Sequence, residues 1–428
     1  MEKLLIRGAR LLDPSRGVDG TGDLLLAGGK IAQAGGTAAA PDARVIDARG
    51  LAAAPGLIDL HVHLRDPGFP EKEDVLSGCR AAAAGGVTGL LCMPNTRPVL
   101  DRAETVRGVL AKAERADARV YVAAAITNGL AGTEPTDLAA LKAAGASAVS
   151  DDGRPVENSA LMARAMRRAD ELGLFVTSHC EDLSFSAGGK VNEGEVSRRL
   201  GVPGIPAAAE DCGTARELAL SEAYRLPVHI CHVSTATSIA MIRDAKRRGA
   251  PVTCETAPHY FALTERELLK RDADYRMSPP LRTEADRLAV VRGIRDGTID
   301  AIATDHAPHA PREKRDFQSA PNGVIGMETS LAAGITFLVG TGALSLSELI
   351  GKMSCAPARL LGIPGGTLAP GAAADLVLFD PAQRWTVDPA KLHGKSRNAV
   401  FKGRELAGRV KYTLLGGRIV YSDETDGG

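Results

Sequence analysis

The chain has 428 residues, 44% of them hydrophobic, and its 52 basic side chains balance 52 acidic ones. This balance argues against a polyanion-binding protein, so we expect no nucleic-acid partner. The N-terminus lacks a signal-peptide segment and no apolar run of about 18 residues follows, which predicts a soluble, cytoplasmic protein without a membrane partner. Seven cysteines, none in a Cys-x-x-Cys pair, fit neither a disulfide framework nor a thiolate zinc site.

Short strands with tight turns are predicted in residues 1–54. The segments KLLIRGARLL, DLLLAGGKIAQAGG and ARVIDARG are separated by Gly, Asp and Pro turn signals. This region is therefore predicted to be all β.

Residues 55–362 have a different pattern, in which short apolar runs alternate with Ala-rich helical segments. Eight such alternations predict a closed parallel barrel. An open doubly wound sheet usually has a glycine-rich phosphate turn after its first strand, but here that strand ends in His-Leu-Arg-Asp-Pro-Gly. The predicted strands are 57–64, 87–93, 119–126, 146–150, 174–179, 227–233, 251–255 and 299–305.

Residues 363–428 again contain strand patterns, such as VKYTLLGGRIVYSDE. Both ends of the chain are expected to build one small β-sandwich domain, although each end could form a sheet of its own. The predicted fold class is α/β: a (β/α)8 TIM-like barrel with that β domain attached.

The first predicted barrel strand lies in the stretch GLIDLHVHLRDPG, residues 56–68. Alternation puts Asp59, His61, His63 and Arg65 on one face, and Ile58, Leu60, Val62 and Leu64 on an apolar face that packs against helices. Two imidazoles two residues apart can reach one cation. The alternative for this strand alone is a pair of hydrogen-bonded core histidines.

Other barrel strands also end in metal-ligand residues. In a (β/α)8 barrel these ends meet at one rim. Four histidines and two carboxylates suit zinc or a similar divalent ion, and a shared carboxylate suits two ions, which lower the pKa of water and favour hydrolysis. Spacing alone does not separate Asp151 from Asp152. The additional candidates are the Asp151–Asp152 pair, His179, His232 and Asp305.

The remaining five histidines receive separate predictions. His229 is expected to be structural, because it lies on the strand face opposite His232. His259 is expected to be either structural or in contact with the metal ligands, and His306 to pack or to orient a ligand. His393 is expected to face solvent, and His309 is a candidate for binding an anionic group.

Seven motifs together resemble the amidohydrolase superfamily and, within it, dihydroorotases of the long-chain bacterial type. The resemblance covers nearly the whole chain and implies a barrel flanked by a β domain built from both termini. The motifs are GLIDLHVHLRDPG, MPNT (93–96), SDDG (150–153), SHCED (178–182), CHVST (231–235), MSPPLR (277–282) and ATDHAPH (303–309).

The resemblance also implies roles for the candidate metal ligands. His61 and His63 would bind the more buried of two Zn²⁺ ions, and His179 and His232 the outer one. Asp305 would be both a ligand and the catalytic proton shuttle. Asp152 would replace the carboxylated lysine that bridges the metals in many relatives, since this chain has no lysine at the end of the fourth strand.

The implied reaction is the reversible hydrolysis of dihydroorotate to N-carbamoyl-L-aspartate in pyrimidine biosynthesis. Arg65, Asn95 and His309 would bind the substrate carboxylate, and the backbone near Gly323 would meet the ring. Ser278 stands where the family usually has Asn. The loop 310–322 is long enough to be a mobile lid.

Two alternatives remain open. A dihydropyrimidinase or allantoinase would use a related site on an uncharged ring, but the bridging lysine expected there is missing. A non-catalytic dihydroorotase-like partner of aspartate carbamoyltransferase would typically lack metal ligands, which this chain retains. A homodimer and an association of the active enzyme with that transferase also remain open.

Overall fold

The computed structural model describes residues 3–186 and 188–423, and the chain begins with five strands of one sheet. β1 pairs antiparallel with β2, β2 pairs antiparallel with β3, and β4 and β5 both run parallel to β1. The all-β prediction for this region is confirmed. These strands are β1 (Lys3–Asp13), β2 (Val18–Ala27), β3 (Lys30–Ala34), β4 (Arg44–Asp47) and β5 (Ala52–Pro55).

All eight predicted barrel strands are present and lie side by side in chain order. The pairs along the sheet are parallel, and the last strand returns to the first through a parallel bridge between His306 and Val62. The barrel strands are β6 (Leu57–Val62), β7 (Val87–Cys92), β8 (Arg119–Ala124), β9 (Ala148–Val149), β10 (Phe175–Ser178), β13 (Val228–Ile230), β14 (Val252–Thr256) and β15 (Ala301–Ile302), while β11 (Val191–Asn192) and β12 (Gly204–Ile205) pair separately.

Helices follow the barrel strands, as the alternation predicts. In α4 the apolar spacing is reproduced by buried residues from Leu161 to Ala169, and the Asn158 side chain caps the helix by accepting from Leu161 N at 3.0 Å. The helices are α1 (Val75–Ala84), α2 (Ala103–Ala113), α3 (Leu138–Ala143), α4 (Ser159–Glu171), α5 (Leu183–Ser186), α6 (Glu195–Leu200), α7 (Ala207–Tyr224), α8 (Ala236–Arg247), α9 (Pro258–Ala262), α10 (Glu284–Arg295), α11 (Met327–Gly334), α12 (Leu346–Ile350) and α13 (Ala356–Leu361).

The C-terminal strands complete the sheet that the N-terminal strands begin. They are β16 (Leu376–Thr386), β17 (Glu405–Leu415) and β18 (Arg418–Ser422), and β16 pairs antiparallel with β5. The order is β18-β17-β16-β5-β1-β2-β3, with β4 on β1. Leucines from β2 and β16 belong to one buried apolar cluster. The two ends of the chain therefore form one β domain, and separate sheets are excluded.

The first barrel strand departs from strict alternation. Ile58 and Leu60 pack in a cluster with side chains of other barrel strands, whereas Val62 and Leu64 pack in the cluster that includes the surrounding helices. The pairing of β6 with β7 shifts register between Asp59 and Val62. The prediction of one continuous apolar face was wrong. The irregular pairing of β6 with β7 changes the side of the sheet that the following side chains face.

A carboxylate joins the first strand to the last at the upper end of the barrel. Asp59 accepts hydrogen bonds from the Thr304 backbone N at 3.0 Å and the Thr304 hydroxyl at 2.6 Å. His63 N donates to His306 O at 2.8 Å one step further along. These bonds fix the ends of both strands where the candidate ligands lie. Among the described residues, no helix has the length and apolar character needed to cross a membrane.

We expect Gly85→Ala to destabilise the protein, since Gly85 follows α1 where it packs against the start of α11. A Cβ atom there would lie 2.2 Å from the Met327 carbonyl oxygen. Overpacking of this kind costs about 1–3 kcal/mol, which urea denaturation would detect as a lower midpoint.

The control is Gly108→Ala in the exposed part of α2, where a Cβ atom meets nothing within 4 Å. That change should raise helix stability by roughly 0.5–1 kcal/mol. Equal midpoints for the two variants would contradict the close approach of α1 and α11.

Candidate metal centre

The predicted metal-ligand side chains converge at the carboxyl ends of the barrel strands. Asp152 lies at the centre: its Oδ1 is 3.2 Å from His61 Nε2, 3.7 Å from His179 Nδ1 and 4.0 Å from His232 Nε2. Its Oδ2 is 3.6 Å from His63 Nε2. Asp305 Oδ1 is 3.1 Å from the same His63 nitrogen. All six side chains are buried.

Two groups of possible ligands share one carboxylate. His61, His63 and Asp152 form one group, and Asp152, His179 and His232 form the other, with the ligand atoms of each group within 4.8 Å of one another. His61 Nε2, His232 Nδ1 and Asp152 Oδ1 are buried without a hydrogen-bond partner among the described residues. Unpaired buried nitrogen and carboxylate atoms are costly, and the nitrogen and carboxylate donors present here fit a divalent cation.

Electrostatics in the cluster also favour a positive charge between the side chains. Burial opposes ionisation of Asp152, but His61 and His232 outweigh it and hold the pKa of Asp152 well below its usual range. For Asp305, His63 and His61 overcome burial and lower the pKa to about 2. Both carboxylates are therefore ionised at neutral pH. A divalent cation among these side chains would likewise favour the ionised carboxylates.

The neighbouring Asp151 has a different environment from Asp152. One Asp151 oxygen accepts from Ile126 N at 2.7 Å and from Thr127 N at 3.1 Å, and the other accepts from the Thr127 hydroxyl. Burial raises the pKa of Asp151 to about 6. Asp151 thus fixes the loop after β8, while Asp152 faces the histidines.

Unusual backbone conformations set the direction of several of these side chains. His232 has φ 35° and Asp305 has φ 48°, and Arg65, which follows the first strand, has φ 60°. The left-handed region costs non-glycine residues free energy, and it persists where surrounding contacts enforce it. Each of the three follows a barrel strand and turns at the rim.

Asn95 and Arg65, both predicted to bind substrate, lie beside the cluster. Asn95 Oδ1 accepts from His63 Nδ1 at 2.8 Å, and Asn95 Nδ2 donates to Asp152 Oδ2 at 3.3 Å. Arg65 Nε donates to the Pro308 carbonyl at 3.1 Å. Arg65 is partly buried and forms no ion pair within residues 3–186 and 188–423. Its charge is therefore available to an anion at the rim.

His309 and Gly323 form the wall next to Arg65. His309 Nε2 is 3.5 Å from Arg65 Nη2 and donates to Asn322 O at 2.8 Å. Burial, with the Arg65 charge, lowers the pKa of His309 to about 2, so the ring is neutral. Gly323 has φ 139°, and a Cβ atom there would lie 2.8 Å from His309 Nε2. Ser278 is partly exposed, and its hydroxyl makes no hydrogen bond with the described residues.

The loop 310–322 is held by basic side chains. Arg276 donates to Phe317 O at 2.7 Å and to Asn322 Oδ1 at 3.1 Å. Lys314 Nζ donates to Pro321 O at 2.9 Å. These bonds give the loop a defined path beside His309, and its predicted role as a lid stays a prediction.

The other four histidines lie outside the two ligand groups. His229 is buried, as expected of a structural residue, and burial lowers the pKa of buried His259 to about 4. His306 Nδ1 accepts from Gly326 N at 3.2 Å. His393 is partly exposed, and its ring and backbone nitrogens each donate to Glu328 at 2.8 Å, which anchors the segment before β17.

Two carboxylates behind the histidines were missed from the sequence. Glu181 Oε2 accepts from His179 Nε2 at 3.0 Å. Glu255 Oε1 lies 3.4 Å from His61 Nδ1, and contacts with His229 and His61 overcome burial to lower the pKa of Glu255 to about 2. The signal was available, because Glu181 is in the quoted SHCED motif and Glu255 ends a predicted strand.

Solved structures of cyclic-amide hydrolases have the same fold. L-Hydantoinase (dihydropyrimidinase) from Arthrobacter aurescens superposes with a TM-score of 0.88 at 24% identity, over 99% of this chain and 96% of that one. Dihydropyrimidinase from Brevibacillus agri gives a TM-score of 0.86 at 26% identity, over 99% and 95%. The barrel with its terminal β domain is thus confirmed.

Sequence comparison identifies nearer relatives. A family model described as Dihydro-orotase-like matches residues 50–238, and one described as Amidohydrolase family matches residues 292–421. A dihydroorotase from Geobacter metallireducens is 50% identical over 98% of this chain and 99% of its own length. One from Syntrophus aciditrophicus is 48% identical over 99% of this chain and 100% of its own. The chain therefore belongs to the dihydroorotase family of the amidohydrolases.

Proposed function

We propose that the protein is a dihydroorotase, which reversibly hydrolyses (S)-dihydroorotate to N-carbamoyl-L-aspartate in pyrimidine biosynthesis. The observation that carries this proposal is a buried carboxylate shared by two histidine pairs. It lies beside an arginine that has no ion pair with the described residues, in a chain half identical to dihydroorotases. The enzyme would act on a small molecule in the cytoplasm. A homodimer or a complex with aspartate carbamoyltransferase is compatible with this activity.

The proposed cofactor is two Zn²⁺ ions held by the two ligand groups that share Asp152. Bound zinc supplies a Lewis acid for the ring carbonyl and lowers the pKa of water at the site. His61 and His63 would hold one ion, and His179 and His232 the other. Asn95 would keep His63 and Asp152 oriented through its two hydrogen bonds.

Asp305 is the proposed general base and acid. Its carboxylate is ionised, and its Oδ1 lies 3.1 Å from His63 Nε2 within the ligand cluster. It can accept the proton of the attacking water and return it to the ring nitrogen that leaves when the amide bond breaks. In the reverse direction the same carboxylate takes the proton from the carbamoyl nitrogen as the ring closes.

Arg65 is the proposed binder of the substrate carboxylate. Its bonds to Pro308 and its proximity to His309 hold the guanidinium at the rim. A forked cation recognises a carboxylate better than a neutral ring amide. Asn95 would donate through its second Nδ2 hydrogen, whereas the neutral His309 would donate to the carboxylate only in exchange for its bond to Asn322 O. Gly323 would leave space for the His309 ring. Ser278 would contact substrate only through water.

A dihydropyrimidinase is the second candidate, because solved structures with that name share the fold. The segment after β9 is Ser150-Asp151-Asp152 and offers no lysine to bridge two ions. Dihydropyrimidines without a carboxylate would also leave Arg65 unpaired. Both points favour dihydroorotate as substrate.

The first expected outcome is metal-dependent turnover of dihydroorotate by the purified protein. Chelation should reduce kcat/KM about 10³-fold, since a Lewis acid contributes several kcal/mol, and added zinc should restore it. Ultraviolet absorbance follows the reaction, with metal content measured in parallel. Metal-independent turnover, or turnover of dihydrouracil alone, would contradict the proposal.

For Asp305→Asn we expect kcat to fall about 10²- to 10⁴-fold, because the amide cannot move the proton. Zinc content should be counted in the same preparation. Full zinc occupancy with unchanged kcat would rule out the proton-transfer role.

For Arg65→Met, kcat/KM for dihydroorotate should fall roughly 10- to 100-fold, through a higher KM, because a charged hydrogen bond to the carboxylate is lost. Initial rates over a range of substrate concentrations separate KM from kcat.

The matched control is Arg154→Met, which removes an exposed arginine just beyond the Asp152 turn. It should leave KM near the parent value. Similar effects of both variants would mean that only the general charge of the rim matters.

A further inference from the structure

A carboxylate lies buried between two histidines beneath the metal centre. Glu255, near the end of β14, has no exposed surface. Its Oε1 is 3.4 Å from His61 Nδ1, and its Oε2 is 3.3 Å from His229 Nε2. None of these four atoms makes a hydrogen bond with the described residues, and the two contacts between them are at salt-bridge distance. Burying a carboxylate without a polar or charged partner costs a large free energy, so the two imidazoles serve as the partners of Glu255.

The Thr253 hydroxyl can set which nitrogens of the two rings carry hydrogen. Thr253 lies opposite His229 on the neighbouring strand, and its Oγ1 is 2.8 Å from His229 Nδ1. If the Thr253 hydroxyl donates to that nitrogen, His229 Nε2 carries the hydrogen and points it at Glu255. His61 Nδ1 then donates to the other carboxylate oxygen. This assignment leaves His61 Nε2, the nitrogen 3.2 Å from Asp152, free to bind a cation.

The other candidate ligands are supported differently. His63 is held by the neutral Asn95 amide, and His179 by Glu181, which is partly exposed. His61 is held by a fully buried carboxylate that a second buried histidine holds in turn. Side chains behind a ligand histidine set its tautomer and basicity. Glu255 and His229 therefore act on the ligand group that contains His61.

We propose that Glu255 and His229 are positioning residues that fix the His61 tautomer and thereby set the zinc affinity of the His61–His63 site. The proposal rests on the metal-dependent function proposed above. Neither residue belongs to the two ligand groups that share Asp152. Glu255 therefore acts through His61, and His229 acts through Glu255.

The test is Glu255→Gln, which keeps the shape of the side chain. An amide can accept from only one imidazole, and its NH₂ group opposes the other donor, so one ring must change tautomer. We expect the affinity of one of two zinc sites to fall about 10- to 100-fold, with the second site much less affected. Competition between the apoprotein and a fluorescent zinc chelator measures both affinities without any use of activity.

The control is Glu217→Gln, the same change at another buried carboxylate. Glu217 contacts Arg216 and Ser178 rather than the histidines. Zinc affinity should stay within about twofold of the parent, because no ligand histidine is touched. An equal loss of affinity in both variants would overturn the proposal, as would unchanged affinity at both sites of a folded Glu255→Gln protein.

A second pair of variants decides the matter if Glu255→Gln does not fold. His229→Leu removes the donor to Glu255 and should weaken one zinc site roughly tenfold, whereas His229→Gln keeps an N–H donor and should restore most of that loss. Equal affinities in these two variants would overturn the proposal. A parent protein that binds two zinc ions without hydrolysing dihydroorotate would contradict the proposed function alone, and the zinc titrations would still test the positioning role.

Discussion

The structure depends on one electrostatic constraint: two carboxylates and four imidazoles are buried at the same barrel rim. Asp152 contacts all four histidines within 4.0 Å, and several of its neighbouring atoms have no hydrogen-bond partner among the described residues. Such a group is stable only if positive charge lies among the carboxylates. Divalent cations would supply that positive charge. Binding of such cations would therefore stabilise the rim.

The barrel backbone is shaped to bring these charges together. Asp59 in the first barrel strand accepts two hydrogen bonds from Thr304, just after the last one. The register shift between β6 and β7 changes which faces the residues of β6 occupy. His232 and Asp305 then turn through left-handed conformations where their strands end. These left-handed conformations are locally unfavourable. The closed barrel around them supplies the contacts that maintain them.

The sequence predicts the scaffold well because the barrel strands coincide with short apolar runs. Each of the eight runs overlaps one strand, and the helix after β9 follows its apolar spacing. The candidate ligands were found because they stand at strand ends and match the motifs of a family. The choice between Asp151 and Asp152 required tertiary contacts, since only the fold shows that Ile126 and Thr127 occupy Asp151.

Other features could not be read from local sequence. The irregularity of β6 arises from pairing with β7, which a period of two along one strand does not reveal. The bond between His393 and Glu328 was not predicted, because the two residues are distant in sequence. Glu255 lies under His61 only because β14 and β6 belong to one closed barrel. Contacts between distant segments set all three, whereas local patterns set the elements.

Arg65 illustrates why the fold alone does not decide the substrate. Structures named hydantoinase or dihydropyrimidinase share this barrel, so the architecture serves several cyclic amides. Arg65 follows the strand that carries His61 and His63, is partly buried, and has no ion-pair partner among the described residues. Burial lowers its pKa, which shows that the position is unfavourable for an isolated cation. A carboxylate on the substrate would relieve that cost, whereas an uncharged ring would leave it in place. Under the proposed function, Arg65 is the residue that would favour an anionic ring over an uncharged one.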